Sequence, residues 1–151
     1  MKAPKRYWLM KSEPESYSID HLKRDKKTPW SGVRNFQARN FMRDDMRAGD
    51  GVLFYHSSCA VPGVYGIGKV ASKAYPDPTQ FDSKSPYFDA RATKDKPIWY
   101  LVDVAFARKL QAPVSITEMR ANKKLSGMAA FRKGSRLSVT PVTAEEFAVF
   151  S

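Results

Sequence analysis

The side chains best equipped for covalent chemistry are His56 and Cys59, three apart in Tyr55-His-Ser-Ser-Cys59. An imidazole beside a thiol can generate a thiolate nucleophile. Such pairs are assembled by tertiary geometry, however, and a lone cysteine is more often a small buried residue. The acid pairs Glu13/Glu15 and Asp44/Asp45 read as turn and helix-surface charges rather than a general acid and base. Gly66-Ile-Gly68 lacks the third glycine of a phosphate-binding loop and lies inside a strand-like stretch. One cysteine and two histidines cannot assemble a structural Cys/His zinc site. No catalytic residue, cofactor or metal is therefore expected, and the chain reads as a binding protein rather than an enzyme.

The binding groups stand out more clearly. Trp30 lies in the aperiodic run Trp30-Ser-Gly-Val-Arg-Asn35, where its flat indole can stack on a nucleobase. Asn35 offers a donor and an acceptor suited to a base edge, and equally suits a helix N-cap. Trp30 itself could instead plug the core. Lys11-Ser12-Glu13 follows one strand-like run and Tyr55-His56-Ser57 closes another, so both present polar groups at the rim of a sheet. Hydroxyls, an imidazole and aromatic faces around a small pocket suit an extruded base. His56 reads just as well as a neutral core histidine.

Charge supports a polyanionic partner. The 151 residues carry 26 Lys+Arg against 15 Asp+Glu, a net charge of +11, and residues 108–136 hold eight basic side chains and one acidic one. Such a stretch gives sequence-independent attraction to phosphates, or simply a solvated basic face. Arg34, Arg39, Arg132, Lys133 and Arg136 are the phosphate candidates. The longest apolar run, Ile98–Val102, has five residues, far short of the roughly 20 that span a bilayer. A soluble, intracellular, non-secreted protein with no membrane partner is expected, as a single domain over residues 1–151.

The elements that must position these groups are short. Tyr7–Met10 predicts a first strand, Ser18 caps a short helix, and Ala38, Phe41, Met42 and Met46 predict an amphipathic one. Strands follow over Val52–His56, Val64–Lys73, Ile98–Phe106 and Arg136–Val142, with Gly66 and Gly68 marking a bulge or bend. Capping boxes at Ser115/Glu118 and Thr143/Glu146 open two more helices. Between Tyr75 and Pro97 four prolines and four aromatics leave a long stretch without clear periodicity. A small curved sheet decorated by helices, of the α+β class, fits best.

Tyr7-Trp-Leu-Met-Lys-Ser-Glu-Pro14 and Trp30-Ser-Gly-Val-Arg-Asn-Phe-Gln-Ala-Arg-Asn40 carry a family likeness. With Gly49-Asp50, Val52–Ser57, Gly66-Ile-Gly68, Ala74-Tyr-Pro-Asp77, Trp99, Val102-Asp-Val104 and Arg136–Val142, they resemble the EVE domain along nearly the whole chain. The resemblance implies a PUA-like fold, a small β-barrel with peripheral short helices, related to YTH and ASCH domains. It implies a reader of modified bases, notably modified cytosine in DNA. The family pocket maps onto Lys11, Ser12, Glu13, Trp30, Asn35, Tyr55, His56 and Ser57. By position relative to YTH domains, Tyr75, Phe81 or Tyr87 would add a wall. The expected protein is a monomeric, non-enzymatic DNA or RNA reader, cytoplasmic in a bacterium or nuclear in a eukaryote. The alternatives are an RNA-binding module without modification preference, an enzyme on nucleotides using His56 and Cys59, and an adaptor for protein partners.

Overall fold

Alternation along two central strands decides the architecture. In β1 (Tyr7–Ser12), Trp8 and Met10 enter one apolar cluster and Leu9 another. In β3 (Gly51–His56), Val52 and Phe54 join the first cluster, Leu53 and Tyr55 the second. Successive side chains point to opposite faces of a strand, so a sheet with both sets buried is covered on both sides. The computed structural model describes residues 5–131 and 137–151.

β1 and β3 run parallel in register from Tyr7↔Gly51 to Ser12↔His56. With four others they curl into a six-stranded half-barrel, in the order β2 (Lys27–Pro29), β7 (Asp103–Ser115), β4 (Gly63–Val70), β3, β1 and β8 (Val139–Val142). A two-residue pair, β5 (Tyr75–Pro76) with β6 (Tyr100–Leu101), sits apart. The register slips between Val64 and Gly66 and again between Ile67 and Gly68, the bulges expected at these glycines. A Cβ on Gly66 would run into the Ile19 side chain and the Arg108 carbonyl, so the helix and strand close on bare backbone there.

Four short helices decorate the described part of the sheet: α1 (Ile19–Asp25), α2 (Phe36–Asn40), α3 (Ile116–Ala121) and α4 (Ala144–Ala148). Ser115/Glu118 and Thr143/Glu146 form the reciprocal caps expected of them. Ser18 caps α1 through His21 in place of a carboxylate.

The strand expected over Val64–Lys73 ends at Val70, and three further elements differ in form from their sequence signal. The amphipathic helix breaks after Asn40 into a π turn, Phe41–Asp45, in which the Met46 N–H reaches back to the Phe41 carbonyl (2.9 Å). Met42 and Met46 stay buried despite the wider turn. The strand expected over Ile98–Phe106 starts at Tyr100, breaks at Val102, and then continues to Ser115. At the break, the Val102 carbonyl accepts the Trp30 N–H (2.9 Å). The aperiodic stretch is ordered by Gln80, fully buried, whose amide donates to the Asp77 and Trp99 carbonyls and accepts from the Ile98 and Trp99 N–H groups. The expected last strand is β8, and Arg136 lies outside the described residues. Among the described residues no helix is long and apolar enough to cross a membrane.

Candidate nucleic-acid interface

At the carboxyl end of β1 the sheet opens into a cleft of about 510 Å³. Lys11, Ser12 and Glu13 line it from β1 and the turn that follows, Ser16 and Tyr17 from the lead-in to α1, and Thr28 and Pro29 from β2. The Trp30–Arg34 loop, Tyr87 and Ser138 complete the lining. Short bonds hold the parts together. Ser12 Oγ donates to the Tyr17 carbonyl (2.6 Å), the Ser57 N–H donates to the Ser12 carbonyl (3.0 Å), and the Lys11 N–H donates to that of Ser138 (2.8 Å).

Trp30 borders the cleft yet is only 8% exposed, its ring edge-on to Phe54 at 5.4 Å. The indole is thus anchored in the core and open at its margin. The indole N–H of Trp8 donates to Asp50 and that of Trp99 to Asp89, whereas that of Trp30 has no acceptor among the described residues. Lys11, half-buried beside the cleft, has its pKa lowered by burial and forms no ion pair among the described residues.

One wall is a latch that the sequence did not reveal. Gly32 sits at φ +87°, where a side chain is strained, and the Tyr87 ring lies so close that a Cβ would meet its Cζ at 2.8 Å. The Gly32 N–H donates to Asp77 Oδ2 (2.8 Å). Arg34 directs all five of its N–H donors to protein acceptors: twice to the Tyr87 carbonyl, and once each to Val33 O, Asp77 and Thr79. That leaves none for a phosphate, the partner expected for Arg34 from sequence. Burial pushes the Asp77 carboxyl up, but hydrogen bonds from Thr79, Gly32 and Arg34 outweigh this and hold it below the usual carboxylate range.

The other expected site residues lie elsewhere. Asn35 accepts the Ala38 N–H (3.0 Å) as the N-cap of α2. Tyr55 is buried in the second apolar cluster, with the Lys11 ammonium 5.5 Å from its ring centroid. Ser57 is outside the cleft lining and touches the site through its backbone alone. Tyr75 donates to Asp103 (2.6 Å), and burial plus that carboxylate push its phenol up to about 12. Arg39 donates to the Ile98 carbonyl (2.9 Å). Arg132, Lys133 and Arg136 lie outside the described residues.

His56 takes the core role. Its ring stacks on Tyr65 at 3.9 Å, and Nε2 accepts the Ile19 N–H at 3.1 Å, so it is neutral there. No hydrogen bond joins it to Cys59 among the described residues. Burial lowers its pKa, partly countered by Asp20. The unfolded chain therefore binds a proton near pH 6.5 that the folded chain refuses. This contribution to stability is present above about pH 6.5 and declines as pH falls, by up to about 1.4 kcal/mol per pH unit. Urea unfolding between pH 5 and 7 should show that slope in the native protein and lose it in His56→Gln.

The curled mixed sheet, its short helices and a polar-aromatic cleft at a strand end define a PUA-like module. The chain belongs to the EVE domain family, whose model matches residues 6–151. It is 42% identical over 160 residues to thymocyte nuclear protein 1 of Homo sapiens, covering 93% of this chain and 70% of that protein. A hypothetical protein from Leishmania major superposes with a TM-score of 0.92 at 47% identity, covering 97% of this chain and 92% of that one. Human THYN1, solved in complex with 5-methylcytosine-containing DNA, superposes with a TM-score of 0.89 at 40% identity, over 96% of this chain and 95% of that chain.

Proposed function

We propose that this chain is a non-enzymatic reader that takes a flipped, modified base, a modified cytosine in DNA, into the cleft beside Trp30. The observation that carries the reading is a largely buried indole, packed edge-on against Phe54, that borders a solvent-open cleft and has no hydrogen-bond acceptor for its N–H among the described residues. The relative solved with 5-methylcytosine DNA supports the choice of base. The cleft volume falls within the roughly 300–1,000 Å³ usual for small-ligand sites. Trp30 bounds the site with its open margin, Ser12 and Lys11 supply polar groups for a base edge, and the exposed Tyr87 ring closes the far side. Basic side chains such as Lys123 and Lys124 attract the backbone without reading sequence.

A methyl group gains apolar contact worth about 1–3 kcal/mol, so selectivity is moderate, near tenfold and upward. The test is a binding series with matched oligonucleotides carrying cytosine or 5-methylcytosine at several salt concentrations. Overall affinity should fall with salt while the ratio between the two stays fixed. A ratio of one at every salt concentration would refute the reading. Matched RNA oligonucleotides separate a general RNA-binding module, because contacts to a 2′-OH would reverse the preference for DNA.

A further inference from the structure

The most exposed large apolar side chain of the described residues is Phe36, at the first position of α2, with 50% of its surface open. It stacks on Trp99, centroids 4.8 Å apart and planes 21° from parallel. Trp99 is buried and pinned by its indole N–H to Asp89 (2.8 Å). The Arg34 guanidinium lies 5.2 Å from the Trp99 ring and 5.5 Å from that of Tyr87. Tyr87, Arg34, Trp99 and Phe36 thus form a run of π and guanidinium groups from the cleft wall to solvent.

Beside Phe36 stands a cation with capacity to spare. The Arg39 guanidinium is 4.8 Å from the Phe36 centroid. It donates to Asn40 Oδ1 and the Ile98 carbonyl, forms no ion pair with a carboxylate among the described residues, and keeps two of its five N–H donors without an acceptor among them. A π-face next to an uncompensated guanidinium is the composition that holds a nucleotide, base on ring and phosphate on cation. An apolar protein partner would gain from the ring but would have to desolvate the charge unpaired, at a cost.

We propose that Phe36 and Arg39 form a second subsite, which stacks the nucleotide adjacent to the captured base and holds its phosphate. This rests on the cleft being the base site, and it makes the protein a reader of two neighbouring nucleotides. Purines, with the larger π-face, are the favoured neighbours.

The test uses an oligonucleotide with one 5-methylcytosine flanked by 2-aminopurine, alongside free 5-methyl-2′-deoxycytidine. Phe36→Ala should weaken oligonucleotide binding about tenfold and abolish the quenching of 2-aminopurine, while nucleoside binding is unchanged. Phe36→Tyr, which keeps the ring, should behave as the native protein. Unchanged oligonucleotide affinity in Phe36→Ala, or an equal loss for oligonucleotide and nucleoside, overturns the proposal. So does intact DNA binding with loss of a protein partner. If neither the native protein nor any variant binds the nucleoside but Phe36→Ala still loses oligonucleotide affinity and quenching, Phe36 and Arg39 still stack a nucleotide, and its placement beside a base in the cleft is overturned.

Discussion

Replacing Asp77 by Ala should destabilise the fold by about 3–5 kcal/mol, the usual cost of removing one partner of a buried ion pair. Its side chain is 1% exposed and that of its partner Arg34 22%. The carboxylate accepts from the Gly32 N–H, the Arg34 guanidinium, and both the N–H and hydroxyl of Thr79. Truncation leaves a largely buried guanidinium and two backbone donors without their acceptor. Because Arg34 also holds the Tyr87 carbonyl, the far wall of the cleft loosens too, and base binding falls with stability. Urea unfolding measures the first effect. A loss below 1 kcal/mol would show that the latch is not a structural centre. The same carboxylate sets an acid limit: its pKa is lowered in the folded state, so its contribution is complete above about pH 4 and declines as the pH falls further.

Trp30→Ala should produce the second large effect, on two readouts. Removing a side chain that is 8% exposed costs about 3–5 kcal/mol of stability. Removing the indole that borders the cleft also takes away about 1–3 kcal/mol of base binding. Preference for methylated over plain oligonucleotide should vanish while the salt-dependent background persists. The comparison is made at a temperature where circular dichroism shows the variant folded, and Trp30→Phe, which retains a ring, should keep part of the preference. Equal loss on both oligonucleotides would assign Trp30 to the core alone.

What could be read from the chain was what local chemistry determines. The first strand, the β3 run and the caps at Ser18, Ser115 and Thr143 follow from signals within four or five residues. Asn35 is instructive: the local cap signal describes the bond its Oδ1 accepts, whereas a base-edge role depends on tertiary placement, and Asn35 lies outside the cleft lining. The latch was invisible for the opposite reason. Asp77 lies 43 residues beyond Arg34, and neither residue type announces its partner. The one available hint was Asp77-Pro78, a cap followed by proline at the start of a turn. The length of β7 was hidden because Arg108, Lys109 and Gln111 are exposed and Pro113 interrupts the pattern.

The central claim, that the cleft beside Trp30 takes the modified base, can be tested without any substitution. Three tryptophans give three indole N–H resonances in a ¹⁵N-labelled sample, and only those of Trp8 and Trp99 are already bonded to carboxylates among the described residues. On titration with 5-methylcytosine DNA, the Trp30 resonance should shift strongly while that of Trp8 stays in place. DNA bound with the Trp30 resonance unmoved would contradict the account.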